Sequence, residues 1–207
     1  MIMQETKSIS PYKQELKVRI LTVAMKAFAE RGIRAVKMDD VASELGISKR
    51  TLYEIYENKE LLLYEGVTHY YQLKEDELKC KTADCRNVME ILLTVYRTKV
   101  EEFRKTNQLF YDDMVKYPKV QRFLIQQNQT MRHNSIKFLE RGIIEGYFRK
   151  DLNCELAARM FDALGEYVVM NKLYQKYSIE EIFVNLVFVS MRGLCTEKGI
   201  KALDKII

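Results

Sequence analysis

Residues 47–53 of this 207-residue chain read ISKRTLY and bring together two cations, two hydroxyls and a phenol without one carboxylate. Lysine and arginine neutralise phosphates, arginine can also bridge two acceptors on a base edge, and hydroxyl groups bond either target. The apolar residues around this run decide which side chains face outward. Val41, Ala42, Leu45, Ile47, Leu52 and Ile55 have the spacing of a tight two-helix unit. Ala42 permits close approach of the second helix, Gly46 can take positive φ without a steric cost, and Ser48 can cap the second helix through its hydroxyl. With Leu52 and Ile55 turned inward, Lys49, Arg50, Thr51 and Tyr53 are the outward set. This is the pattern of a DNA-binding helix-turn-helix, whose second helix lies in the major groove with its first residues toward the bases. The competing reading is a surface helical hairpin with a solvated charged face. The acid-free run, in a chain that is otherwise evenly mixed, favours DNA.

The elements that must position this unit are helices. Leu16, Ile20, Val23, Ala24, Ala27 and Phe28 recur at three- and four-residue intervals after Pro11, and Gly32 follows the basic Arg31 as a helix stop should. Short helices are expected over 38–45 and from Ser48, and Asn58 is placed to cap a fourth helix running to about Leu78. Further helices are expected over 87–105, 108–116, 119–145, 154–175 and 178–195, with Pro118, Gly142 and Gly146 marking limits and Asn153 and Ser178 in capping positions. Residues 182–191 read IFVNLVFVSM, apolar on nearly every side, so periodicity alone would also admit a buried strand there. Length and context favour a helix covered on two sides.

Composition agrees and excludes alternatives. With 8 Gly and 2 Pro, hairpin-rich all-β folds lack turn residues, while 47% hydrophobic and 30% charged residues is too apolar for a disordered chain. Net charge is +5; residues 1–60 carry 11 basic against 9 acidic side chains, so the total is mute about partners and only its local distribution speaks. Residues 1–10 lack a leader-like apolar run and no stretch reaches the roughly 18 apolar residues of a membrane span, so a cytoplasmic protein without a membrane partner is expected. Cys80, Cys85, Cys154 and Cys195 are then expected as free thiols, and neither a metal nor any other cofactor is expected. An enzyme would need clustered acids, bases or nucleophiles; there are 2 His, His69 and His133, and no nucleophile elbow or P-loop.

ISKRTLYEIYENKELLL, preceded by LTVAMKAFAERGIRAVKMDDVASELG, resembles the N-terminal domain of TetR-family transcriptional regulators over residues 16–63. GIIEGYFRKDLNCELAARM is similar to that family's junction into its dimerisation helices. The resemblance implies an all-α protein of about nine helices, with a helix-turn-helix domain over 1–60 and a ligand-binding and dimerisation domain over 61–207. It implies a homodimer that binds a palindromic operator and is released by a small-molecule effector, more commonly a repressor than an activator. At matching positions it implies that Thr51 and Tyr53 touch DNA, that Lys59 binds a phosphate and that Tyr56 packs beneath the domain. Lys37 stands where the family usually has Ser or Thr, and can still reach a phosphate as a mobile point charge. Ser48, Lys49 and Arg50 complete the expected DNA set. Glu54 departs from the family's pattern; it would repel phosphate unless it meets a cytosine amino group or pairs with Lys49 or Arg50.

In the larger part, Tyr96, Phe103, Phe110, Met114, Phe123, His133, Phe138, Tyr167 and Met170 are candidates for an apolar effector cavity, against the alternative that they fill the core. Leu156, Met160, Leu164 and Val168 form one stripe, and Phe183, Leu186, Val187 and Ser190 lie on the helix that would join it in a four-helix dimer interface. The rival to a regulator is a helical small-molecule binder or adaptor that does not bind DNA.

Overall fold

The computed structural model describes residues 11–206, the side chains of 128 and 129 excepted; residues 1–10, read above for a leader, lie outside the described residues. The chain is all-α, with no strand among the described residues. In order the helices are α1 (Pro11–Arg31), α2 (Met38–Leu45), α3 (Lys49–Ile55), α4 (Lys59–Ala83), α5 (Val88–Lys105), α6 (Gln108–Met114), α7 (Pro118–Ile144) and α8 (Cys154–Met170). A short 3₁₀ turn (Leu173–Gln175) leads to α9 (Ile179–Ile182), a π-helical stretch (Phe183–Phe188), α10 (Val189–Arg192) and α11 (Glu197–Leu203). Two compact units result among the described residues: the first holds 11–71 together with Leu109–Gln121, the second Gln72–Gln108 and 122–206.

In the first unit α1 buries Leu16, Ile20, Leu21, Ala24, Ala27 and Phe28 as one stripe. Its end is fixed by Gly32 at φ +83°, where a Cβ would come within 2.9 Å of the Leu109 Cβ, so no side chain fits. Ile33, Val36, Val41, Ala42, Leu52, Tyr56, Leu62 and Leu63 complete this core. Asn58 caps α4 as its position suggests, its side-chain oxygen accepting the Leu61 N–H at 3.0 Å. Phe110, Met114 and Val120, from the later segment, are buried in the same unit.

The second unit centres on Val88, Met89, Leu92, Leu139, Phe148, Ala158, Phe188, Met191 and Leu203. Asn87 caps α5 through both Met89 and Glu90 N–H groups, and Asn153 caps α8 through Leu156 N–H. Gly142 lies flat on the Phe148 ring, where a Cβ would sit 2.1 Å from a ring carbon. The link between α7 and α8 is pinned by Thr196 N–H to the Tyr147 carbonyl (2.9 Å) and Arg149 N–H to the Leu194 carbonyl (3.0 Å).

Four elements differ from the sequence-based expectation. The helix expected over 154–175 stops at Met170, because Lys172 takes φ +50° and the chain re-enters as a 3₁₀ turn. Helix α4 continues past Leu78 to Ala83, because Lys79 and Lys81 pair with Glu75 and Glu77 one turn back and sustain a polar helix. The segment over 178–195 does not hold one regular pitch but widens into a π-helical stretch. A further helix, α11, forms after it, capped by Thr196, whose hydroxyl accepts the Gly199 N–H and donates to the Gly146 carbonyl.

Candidate nucleic-acid interface

The first unit builds its outward face from two short helices and three turns. The turn between α2 and α3 places Gly46 in the left-handed region at φ +65°, with its N–H bonded to the Ser43 carbonyl (3.1 Å) and that of Ile47 to the Ala42 carbonyl (3.0 Å). Ser48 then starts α3: its Oγ accepts the Thr51 N–H at 3.0 Å and lies 2.8 Å from the Thr51 hydroxyl. Both hydroxyls are thus partly engaged in holding the helix start, and Ser48 acts first as a cap. Leu52 is wholly buried, which turns Lys49, Arg50 and Tyr53 outward as the spacing requires; Tyr53 is 47% exposed.

The two cations of α3 are held by acids. Lys49 Nζ donates to the Asp39 carboxylate on α2, and this bond raises the lysine pKa. Arg50 Nε donates to Glu54 Oε1 at 3.0 Å along the same helix, an exposed pair that leaves both terminal guanidinium nitrogens outward. Glu54 therefore does pair with Arg50, one of the two outcomes open from the sequence. Lys37 is the exposed N-cap residue of α2, its N–H held by Asp40 Oδ2 at 2.7 Å.

Lys59 sits differently. Its ammonium donates to the Val36 carbonyl and lies 5.7 Å from the centre of the Phe28 ring, a half-buried position that lowers its pKa against the opposing pull of Asp113 and Asp40. Tyr56 is buried as expected, and burial with the neighbouring Glu65 carboxylate drives its phenol far above the usual range. The residue that sequence reasoning missed is Asp113, the one buried charged side chain among the described residues. It lies 79 positions from its main partner, and no local pattern marks it.

The second unit contains a cavity of about 350 Å³, bordered by α7, α8, α9 and the π-helical stretch. Phe138, Phe161, Leu164, Val168, Ile182, Phe183, Leu186 and Val187 are among its walls, and Ser135 is the one hydroxyl. Of the nine residues named above for an effector, Phe138 borders it and the other eight do not. Phe110 and Met114 lie in the first unit; Tyr96 packs edge-on to Phe183 and Phe188 at 5.2 and 5.1 Å, Phe103 edge-on to Tyr174, and Phe123 is buried. His133, Tyr167 and Met170 are exposed. Five of the residues named for a dimer interface, Leu164, Val168, Phe183, Leu186 and Val187, border this half-open cavity, while Leu156 and Met160 are exposed and Ser190 is partly buried. Among the described residues no cluster of His, Cys, Asp or Glu is arranged to hold a metal ion, and no helix is long and apolar enough to cross a membrane.

A three-helix unit with a capped, cation-bearing second helix in its helix-turn-helix, joined to a helical body with an apolar cavity, defines a DNA-binding regulator. The family of bacterial regulatory proteins named for TetR matches residues 20–65. The KstR2 transcriptional repressor of Rhodococcus jostii is 28% identical over 152 residues, spanning 71% of this chain and 74% of the relative. Among solved structures, a transcriptional regulator from Saccharomonospora viridis in complex with choline has a TM-score of 0.73 at 20% identity, covering 89% of this chain and all of the other. KstR2 of Mycobacterium tuberculosis, a ketosteroid transcriptional regulator, has a TM-score of 0.57 at 21% identity over 94% of this chain and all of the other, and these two likenesses show the fold. Residues 20–65 match the TetR-family DNA-binding domain, most of the chain is similar to KstR2 repressors, and the protein is a DNA-binding transcriptional regulator.

Proposed function

We propose that this protein is a repressor that binds a palindromic operator as a homodimer in the cytoplasm and leaves it when an apolar small molecule enters the second unit. The observation that carries the DNA half is the outward row of Lys49, Arg50, Thr51 and Tyr53 on a helix whose start is capped by Ser48 and whose inner face is closed by Leu52. Lys37, Lys49 and Arg50 meet phosphates, Lys49 and Arg50 exchanging their carboxylate partners for them. Thr51 and Tyr53 approach sugar and base edges. Lys59 has one of its three N–H donors on the Val36 carbonyl and offers the others to a phosphate.

Affinity for a palindrome follows from symmetry: two such helices about one turn of DNA apart, roughly 34–36 Å, engage two half-sites together. The exposed Leu156 and Met160 of α8, with Val189 of α10, supply apolar surface for the second copy. The effector is argued from the cavity. Its walls are almost wholly apolar, and the Ser135 hydroxyl already donates to the Met131 carbonyl, so what remains for a ligand is an acceptor. A neutral, largely apolar molecule carrying at most one or two hydroxyl groups suits it, and the description of a relative as a ketosteroid regulator agrees with the apolar walls. Tyr96, Phe103, Phe110, Met114, Phe123, His133, Tyr167 and Met170 would bear on such a ligand only from outside these walls. Because Leu164, Val168, Phe183, Leu186 and Val187 both wall the cavity and belong to the helices proposed to pair, a ligand there changes the packing of the dimer surface itself. It releases DNA if it binds the non-DNA-bound arrangement more tightly.

The experiment is equilibrium binding to duplexes selected from random DNA, with stoichiometry by sedimentation. Two protomers per palindrome and a steep loss of affinity with salt support the reading. Absence of any selected sequence would favour the helical binder without DNA contact.

A further inference from the structure

The turn that enters the DNA-contacting helices, residues 32–37 between α1 and α2, is gripped from two sides by groups distant in sequence. On one side Asp113 Oδ2 accepts the Arg34 backbone N–H at 2.8 Å. On the other the Lys59 ammonium donates to the Val36 carbonyl. Acid and base are close enough that Asp113 pulls the Lys59 pKa upward against burial. A carboxylate only 5% exposed is costly to keep unless it is bonded and charge-compensated, and Asp113 is both, with Lys116 Nζ 3.0 Å from its other oxygen. The segment that carries it is held at two more points: Leu109 lies against Gly32, and the Lys119 N–H donates to the Glu60 carboxylate at 3.1 Å.

We infer that Asp113 is a positioning residue for DNA binding: by fixing the Arg34 amide it sets where α2 starts, and with it the α2–α3 pair, although it touches no DNA. The reading unit is therefore discontinuous, and residues 109–121 are part of its working structure. This rests on α2 and α3 being the DNA-contacting helices. It assigns a role to a residue that sequence reasoning left unremarked.

The sign of the effect separates this from simple electrostatics. Removing a negative charge from a DNA-binding unit should tighten binding through the long-range field. Loss of a positioning bond should weaken it. The test uses the full-length protein, Asp113→Ala and Asp113→Asn, and the duplex that the unaltered protein selects from random DNA. Asp113→Ala is expected to weaken binding by about tenfold or more with an unchanged salt slope, since no phosphate contact is lost. Asp113→Asn keeps an acceptor oxygen and is expected within about threefold of the unaltered protein. Hydrogen exchange at the Arg34 amide should accelerate in Asp113→Ala and stay slow in Asp113→Asn. Should Asp113→Ala lose helicity, Asp113→Ser, which keeps a polar group too short to reach the amide, replaces it with the same expectations. Unchanged or tighter binding in the Ala or Ser variant, unchanged Arg34 exchange, or an Asn variant as weak as the Ala variant would overturn the inference. If the unaltered protein selects no DNA, the functional reading fails while the exchange measurement still decides whether the clamp exists.

Discussion

The two units of this molecule solve opposite problems. The first presents polar groups in fixed places: each outward cation of α3 has a carboxylate partner, Ser48 caps α3, and the entry turn has its donor and acceptor both bound. The second gathers apolar side chains around a half-open cavity, with a wall that includes a helix out of regular register. Position is what matters in the first and shape in the second. A π-helical stretch is a common mark of functional sites, because one extra residue per turn re-aims the side chains that follow. Here it aims Phe183, Leu186 and Val187 into the cavity.

The comparison breaks most readily at the cores. Leu52→Ala should cost the first unit about 2–5 kcal/mol, seen as an early thermal transition with lost DNA binding and a second unit still folded. Gly142→Ala should do the converse, since its Cβ cannot coexist with the Phe148 ring, and a loss of about 1–3 kcal/mol is expected by calorimetry in the second unit.

Next come changes that touch function more than stability. Tyr53→Ala should weaken operator binding by about 1–3 kcal/mol while circular dichroism is unchanged. Arg50→Ala should reduce the salt slope by about 1 if Arg50 meets a phosphate, and leave the slope alone but relax preference for guanine if its free terminal nitrogens read a base. Leu164→Trp, which fills the cavity, should abolish binding of hydrophobic fluorescent probes and weaken DNA binding as a bound effector would.

The smallest effect expected is on pH. Glu77 on α4 is held at a pKa of about 2 by hydrogen bonds from Lys74 and Lys81. A depressed carboxylate contributes stability above its unfolded pKa, near 4.3, and loses it as pH falls toward 2. Glu77→Gln should flatten the acid limb of the stability curve slightly between those values, and only slightly because the site is exposed to solvent. Thiol chemistry gives a parallel contrast: burial lifts Cys195 to about 11, so alkylation at pH 8 should label exposed Cys80 and spare Cys195.

Much of the first unit was legible because its signals are local. Gly46 followed by Ser48, with Leu52 inside, states a turn, a cap and a face within seven residues, and the structure places each there. Asn58 and Asn153 were legible for the same reason. What was illegible depends on distance. Asp113 finds Arg34 only in the folded chain, and Lys59 turns to Val36 because of a burial that no spacing reveals. In the second unit an aromatic stripe says that something is packed without saying against what, so the cavity fell to Phe161, Ile182 and their neighbours and not to Tyr96 or Phe103. The all-round apolar character of 182–191 was the available signal, since a helix that is apolar on every side can wall a cavity as well as cover a partner.

Selection from random DNA tests the central claim most directly, namely that the face made by Lys49, Arg50, Thr51 and Tyr53 reads an operator twice by symmetry. The account predicts a palindrome whose half-site centres lie about 10 base pairs apart, bound by two protomers with an affinity that falls steeply with salt. Recovery of no sequence, or of a single asymmetric site bound by one protomer, would contradict it.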